Sequence, residues 1–486
     1  MTRGLILAID QGTTNTKAIA VDAEGRIVAQ ASVPMRVEYP QPGWAEQSAA
    51  DIWASVRQVI ADVVEAHPGS YDGLAISNQR ESIVLWDAAT GEPVGPAVIW
   101  QCRRSADLCA RLRREGHAEL IAERTGLGLD PLFPAGKIAW LLDAAPDRRD
   151  RALWGELRAG TVDNWLLWQL TGGASHATDV SNASRTQLFN TASLSWDEDL
   201  CGLFDVPPVI LPRVLPSDSE FGVVAAGTTA LPSGTPIRAM MGDSHAALYG
   251  HGVRQPGTVK ATYGTGSSLM TLTPRRLTSS HGLSGTIAWG TRHGVAYALE
   301  GNISVSGQAA AFMAELLGLG TAGALADLAL TVPDSNGVAF VPALVGLGAP
   351  HWRDGARGIV TGLSLGTRPA HLARAALEAI AFQVADVFAA MQSDLGTDLD
   401  TLCVDGGASR NDFLMQFQAD ILDRPLLRGD VAELSAMGAA ALAWEALGHQ
   451  LPLQDASRRF EPAMDAETRG RRRDRWQAAL RQTMIS

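Results

Sequence analysis

The sequence predicts an α/β protein built from two similar halves, on three observations. Near the start, "LAIDQGTTNTKAIAVDAEG" (Leu7–Gly25) runs from apolar residues into a turn of small hydroxylated residues and back into alternation. That period of two marks a strand hairpin. Past the middle, "GTVKATYGTGSSLMTLT" (Gly257–Thr273) repeats the logic, with glycine and Ser or Thr between two strand-like runs. Strand-like and helix-like segments alternate along the rest of the chain, which is the pattern of α/β folds.

The elements follow in order. After the first hairpin, "SAADIWASVRQVIADVVEAHPG" places Ile52, Val56, Val59, Ile60 and Val63 on one helical face. Ser48 and Asp51 resemble a capping box, and Pro68 with Gly69 ends the helix. "LAIS" reads as a buried strand, "NQRES" as its exit, and "IVLWD" as the next strand, closed by "AATGEP". A tract rich in Pro and Gly, Val206 to Pro236, reads as a connection. The apolar run "IRAMMG" predicts a strand, and a helix is predicted from Ala246. The boundary between halves is expected near residue 245, giving domains over 1–245 and 246–486. The C-terminal "TRGRRRDRWQAALRQ" reads as a solvated helix face.

Composition limits the partners. Among 486 residues, 46% are hydrophobic and the formal net charge is -12, which argues against nucleic acid or an acidic membrane surface as a partner. No run approaches the ~20 apolar residues that span a bilayer. Four cysteines without CxxC spacing predict reduced thiols in a cytoplasm. Only three lysines occur, Lys17, Lys137 and Lys260.

The first turn holds Asp10, Gly12, Thr13, Thr14, Asn15, Thr16 and Lys17. Small residues let backbone N–H groups approach an anion, and hydroxyls and a lysine add donors, so the turn suits phosphate. A P-loop string is absent, and the loop leads into a strand rather than a helix, which sets aside the dinucleotide fingerprint. Two such hairpins, one per half, would clasp a nucleotide between domains.

The stretches "AIDQGTTNTK", "SNQRES", "VIWQCRR", "ATDVSNASRTQLFN", "GDSHAALYGHG", "TYGTGSS", "VPALVGLGAPHW", "ARGIVTGLSLGTRPAHLARAALEAI" and "DGGASRNDFLMQFQADIL" span nearly the whole chain. On these the chain resembles the FGGY family of carbohydrate kinases, and within it the glycerol kinases most. The resemblance implies the sugar kinase, actin and heat-shock ATPase fold, of ribonuclease H-like domains, with the cleft between them holding nucleotide and acceptor. It implies phosphoryl transfer from ATP, with Mg²⁺, to a primary hydroxyl of a small polyol or sugar, and a homodimer or homotetramer.

Residue by residue, Asp243 matches the catalytic base. A substrate hydroxyl is a poor nucleophile, so a carboxylate must take its proton as attack proceeds. Asp10, with Asp243, matches the carboxylates at Mg²⁺. Thr13, Thr14, Asn15 and Lys17 match positions lining the ATP phosphates. Gly264, Thr265 and Gly307 match nucleotide contacts, and Gly407 and Asn411 match the adenosine-side motif. Arg80 and Glu81 match the pair that grips neighbouring hydroxyls, where a guanidinium donates and a carboxylate accepts. Trp100 matches an aromatic wall.

Three acceptor positions depart from glycerol kinase. Leu132 stands for tyrosine before "FPAGK", Ser244 for glutamine after the catalytic aspartate, and Ser268 for phenylalanine after "YGTG". A larger, differently polar cavity follows, suited to a four- or five-carbon polyol or ketose such as erythritol, threitol, ribulose or xylulose. Ala311 replaces a glutamine near the nucleotide. "VVAAGTTALPSGTPI" lacks the basic residues with which some relatives bind a phosphorylated sugar effector, so no such inhibition is expected. A regulator that kept the fold without turnover is the remaining alternative, though it would have little use for the base.

Overall fold

The computed structural model describes residues 4–429, 433–452 and 458–485. The alternating run at the start pairs as expected of its period: β1 (Leu5–Gln11) lies antiparallel to β2 (Asn15–Val21), with Asp10 opposite Lys17. Next, β3 (Ile27–Pro34) extends the meander, and β4 (Tyr71–Asn78) returns parallel to β1 after α1 (Ala49–Ala66). Then β5 (Gly222–Val223) and β6 (Pro236–Gly242) complete a sheet in the order β5-β6-β4-β1-β2-β3. At the head of α1, Ser48 Oγ accepts the Asp51 N–H at 3.1 Å, and its apolar face buries Ile52, Val56, Val59, Ile60 and Val63. Each such side chain contributes about 1.5–3 kcal/mol on burial.

The second half repeats the plan. Here β7 (Thr258–Tyr263) is antiparallel to β8 (Ser267–Thr273), then come β9 (Ser284–Thr291) and β10 (Gly294–Ile303). After a long crossover, β11 (Thr401–Asp405) lies parallel to β7, followed by β12 (Leu426–Arg428) and β13 (Arg458–Phe460). The order is β9-β10-β8-β7-β11-β12-β13. In both sheets the leading strand has its hairpin partner on one side and a parallel strand on the other.

Five of the remaining helices bear on the cores and the site. They are α2 (Pro134–Asp143), α3 (Val162–Leu170), α4 (Asp243–Gly250), α5 (Gly307–Leu316) and α6 (Pro369–Leu395). Two more, α7 (Asp412–Leu422) and α8 (Leu434–Ala446), follow β11 and β12. One core lies between the first sheet, α1 and α3, and another between the second sheet, α6 and α7. A third joins residues of both sheets to α4 and α8. There α4 and α8 pack against each other, and α8 also lies on β1, β2, β4 and β6. A Cβ at Gly438 of α8 would overlap the Ala246 carbonyl of α4, so only glycine permits this approach.

One element differs from the sequence reading. The helix expected from Ala246 begins at Asp243, because Gly242 is the extended cap residue and Asp243 Oδ1 accepts the Ser244 N–H at 2.6 Å. A carboxylate in the first turn is favoured by the helix dipole. The tract 206–236 is largely irregular, as a connection should be, yet contributes Arg213–Leu215, paired with Ala177–Asp179. Among the described residues no helix is long and apolar enough to cross a membrane. All four cysteines are buried free thiols.

In the first half's core, Asp163 of α3 lies near Asp179, which caps the short helix Val180–Ala183 by accepting the Ser181 and Asn182 N–H groups. Burial, then the Asp179 charge, pushes Asp163 up to about 7. A carboxyl raised on folding contributes stability below its unfolded pKa, and that contribution is lost as pH rises from about 4 through about 7. Asp163→Asn keeps an acceptor for Thr178 Oγ1, 2.6 Å away, and removes the titration. The expected result is a flatter thermal midpoint between pH 5 and 8 and a higher one at pH 8, worth roughly 4 kcal/mol at most. Parallel midpoint-versus-pH curves for the two proteins would refute it.

Candidate active site

The ends of β1, β4 and β6 bring the first group of polar residues together. Asp10 lies beside Ser77 in the parallel pairing, and Ser77 Oγ donates to Asp10 Oδ1 at 2.9 Å. Ser77 in turn pairs with Met241, one residue before Gly242 and two before Asp243. Desolvation pushes Asp10 up to about 6, with the Asp243 charge adding to it, so the two carboxylates share one site. Two carboxylates and no third ligand are what Mg²⁺ takes when phosphate and water complete its shell. The described residues contain no group of three or more metal-ligating side chains.

The exit of β4 carries the next group. Arg80 Nε donates to Asp243 Oδ1 at 2.9 Å, and Arg80 Nη2 donates to Ser244 Oγ at 3.1 Å. Both donors to Asp243, Arg80 and the Ser244 N–H, fall on Oδ1, and Oδ2 has none among the described residues. The Asp243 side chain is 37% exposed, against 7% for Arg80. An accessible carboxylate oxygen with its twin anchored is the geometry a general base needs. Glu81 adopts φ 60°, a left-handed conformation strained for a side chain of its size. Lys137 of α2 steadies it, donating to the carbonyls of Glu81 at 2.8 Å and Leu132 at 2.6 Å. Burial lowers Lys137 to about 7. Leu132 is thus tied to Glu81 through one ammonium.

Ser244 and Ser268 stand together, with their Oγ atoms 3.2 Å apart. Trp100, at the rim, donates from Nε1 to Thr13 Oγ1 at 2.8 Å, which links the acceptor side to the phosphate turn. Thr13 also donates to Gln79 at 3.3 Å, and Asn15 Nδ2 donates to Thr14 Oγ1 at 3.3 Å. Lys17 is not free in this turn: its ammonium pairs with Glu433 at 2.8 Å.

The second hairpin forms a cradle. The Ser306 and Gln308 N–H groups donate to the Thr265 carbonyl, and Gly307 N–H donates to Gly264 O at 3.0 Å. A Cβ at Gly307 would strike the Gly264 carbonyl, and one at Gly406 the backbone of Tyr263. Gly264 and Thr265 therefore meet Gly307 backbone to backbone at the head of α5, and Gly406 meets the same hairpin at Tyr263. Asn411 has a different occupation: its side chain caps α7, accepting the Leu414 N–H at 3.1 Å.

Two residues of this site, Glu300 and Arg185, escaped the sequence reading. Glu300 of β10 is fully buried, and its carboxylate lies 2.7 Å from Arg80 Nη1 and 2.7 Å from Arg185 Nη2. Burial alone would raise Glu300, but Arg185 and Arg80 hold it well below the usual carboxylate range. Arg185, at the end of the "ATDVSNASRT" stretch, donates from Nε to Glu81 Oε1 at 2.7 Å. Its place in that stretch was the available signal. Glu300 offered less, a lone acid in an alternating strand. His245, buried beside this cluster, is held neutral, first by burial and then by Arg80. Lys260, also fully buried, has no hydrogen-bond partner among the described residues.

Comparison with known proteins accounts for the arrangement. The N-terminal and C-terminal domain models of the FGGY family of carbohydrate kinases match residues 5–250 and 259–447. The chain is 52% identical to an apulose kinase of Pectobacterium atrosepticum, covering 91% of this chain and 90% of that one. To a glycerol kinase of Symbiobacterium thermophilum it is 47% identical, covering 99% and 98%. The crystal structure of Plasmodium falciparum glycerol kinase with ADP superposes with a TM-score of 0.94 at 30% identity, covering 99% and 98%. The paired hairpins, the clustered carboxylates and these matches together make the chain a member of the FGGY family of carbohydrate kinases, an ATP-dependent sugar or polyol kinase.

Proposed function

We propose that the chain transfers the γ-phosphoryl group of ATP to a primary hydroxyl of a small polyol or ketose of four or five carbons. The observation that carries this is Asp243: one carboxylate oxygen is anchored by Arg80 and Ser244, and the other, beside the acceptor pair, takes no hydrogen bond from the described residues. In this reading Oδ2 accepts the acceptor's proton as its oxygen attacks phosphorus. Arg80 and Glu81 orient two neighbouring hydroxyls, and Trp100 lies along the carbon chain. Thr13, Thr14, Asn15, Gly264, Thr265 and Gly307 hold the phosphates, and Lys17 joins them once it leaves Glu433. Gly407 and Asn411 sit on the adenosine side. Asp10 and Asp243 would hold Mg²⁺, which would supply positive charge against the phosphates. Closure of the two halves, 1–245 and 246–486, excludes water as a competing acceptor. The cytoplasm is the compartment consistent with four reduced thiols, and a homodimer or homotetramer is the assembly the family suggests.

The acceptor's size follows from the serine pair. Where glycerol kinase has glutamine and phenylalanine, two small hydroxyls meet at 3.2 Å, and Leu132 removes a phenol from the facing wall. The space and the hydroxyls favour an acceptor with additional carbon and oxygen. A relative named apulose kinase agrees with this, since apulose is a branched five-carbon ketose. The test is ADP release with ATP and Mg²⁺ against glycerol, erythritol, threitol, the pentitols, ribulose, xylulose and apulose. Losing one good hydrogen bond costs about 1–3 kcal/mol, so kcat/KM on the preferred longer acceptor should exceed that on glycerol by about one to two decades. A preference for glycerol would overturn the acceptor assignment. ADP release no faster than without acceptor would overturn the reaction.

A further inference from the structure

The pair assigned to grip the acceptor consists of opposite charges next to each other in sequence, and such a pair has an obvious way to fail. A buried guanidinium and carboxylate with nothing else to bind close on each other, and then neither is available to a hydroxyl. In this structure they do not close. Arg80 Nη1 stands 3.9 Å from Glu81 Oε1, too far for a hydrogen bond. Each is held by other partners instead: Arg80 Nε and Nη2 are taken by Asp243 and Ser244, which leaves Nη1 as the nitrogen that faces Glu81. Arg80 Nη1 lies 2.7 Å from Glu300 Oε1, and Glu81 Oε1 takes Arg185 Nε at 2.7 Å. The two partners are themselves joined, Arg185 Nη2 to Glu300 Oε2, at 2.7 Å. Ser268 Oγ adds a hydrogen bond to Glu300 Oε1 at 3.0 Å. Glu81 Oε2 is left with no donor among the described residues.

We infer that Glu300 and Arg185 are positioning residues for the acceptor: as competing partners they hold Arg80 and Glu81 apart, so that both face the hydroxyls instead of each other. The inference rests on the kinase reading above, in which Arg80 and Glu81 bind the acceptor. Its geometry is specific to the two halves together. Glu300 and Ser268 come from the second sheet, whereas Arg80, Glu81 and Arg185 come from the first half. Arg185 and Glu300 are fully buried.

The test is steady-state kinetics on the full chain with the best acceptor from the panel. Glu300→Gln should raise the acceptor KM at least about tenfold, because Arg80 turns to Glu81, while the ATP KM stays within about threefold. Removing one buried charge also unbalances the cluster, so a second variant separates positioning from charge balance. In Glu300→Gln combined with Arg185→Gln the charges balance again, and thermal stability should recover relative to the single variant. The acceptor KM should stay raised, since both spacers are gone. An unchanged acceptor KM in Glu300→Gln overturns the inference. So does equal elevation of both KM values, or recovery of the acceptor KM together with stability in the double variant. If wild-type protein shows no ATP-dependent turnover at all, the kinase reading fails and the inference fails with it, whereas an active wild type beside an unaffected Glu300→Gln overturns the inference alone.

Discussion

Asp243→Asn is expected to lower kcat by roughly 10²–10⁴-fold, the range that a positioned base contributes. The substitution is close to isosteric, and its amide oxygen can accept from Arg80 Nε and the Ser244 N–H as Asp243 Oδ1 does. The helix start and the Arg80 contact should therefore persist, and circular dichroism and the thermal midpoint should change little. What disappears is the basic oxygen, Oδ2. Nucleotide affinity, read by titration with ADP in the absence of acceptor, should stay within a few-fold of wild type. Full activity in this variant would remove Asp243 from the role of base. A loss of ADP binding as large as the loss of turnover would make it a nucleotide-site residue instead.

The second large effect is on stability. Gly438→Ala is expected to cost about 3 kcal/mol or more, because the new Cβ meets a backbone carbonyl rather than a side chain that could turn aside. That carbonyl belongs to Ala246 in α4, and Gly250 of α4 approaches α8 from the same side, its own Cβ position close to the Leu434 carbonyl. Neither helix can yield without the other, since α8 is also seated on four strands of the first sheet. Gly202→Ala is the control. Gly202 lies within the helix Glu198–Phe204 with open space at its Cβ position, and there alanine should be neutral or stabilising by up to about 1 kcal/mol. Urea midpoints of the two variants settle the matter: equal stability would mean that the helix crossing is looser than its backbone distances state.

Much of the fold was readable because it rests on local signals. The alternation around Asp10 and Tyr263, the face of α1 and the cap at Ser48 each depend on residues within one or two turns of chain. Arg80, Glu81, Asp243 and Ser268 could be singled out as a group only through resemblance, and the structure puts Arg80 in hydrogen-bond reach of Asp243, Ser268 in reach of Glu300, and Glu81 in reach of Arg185. Other features were hidden for physical reasons. Glu300 and Arg185 are 115 positions apart, and nothing in "YALEGN" announces a buried carboxylate between two guanidiniums. Lys17 reads as a phosphate ligand in its loop, yet its partner Glu433 arrives from the far end of the chain. The start of α4 was misplaced because aspartate, serine and histidine look like a loop, whereas packing buries Ser244 and His245 and draws them into the first turn. The seat of "LSAMGAAALAWEA" on the first sheet has no local signal, because it joins residues from opposite ends of the chain.

That seat bears on how the protein is made. The face of the first sheet that carries Ile6, Ala8, Ile19, Val21, Ala75, Ala239 and Met241 belongs to the core shared with α4 and α8. During synthesis the strands of this sheet are complete once Gly242 has been added, but α8, which covers β1, β2, β4 and β6, is not complete until Ala446. For about two hundred residues of elongation that apolar face has no final cover. The first half is a domain by topology and an intermediate by biosynthesis, and the chain closes it with nearly its last helix.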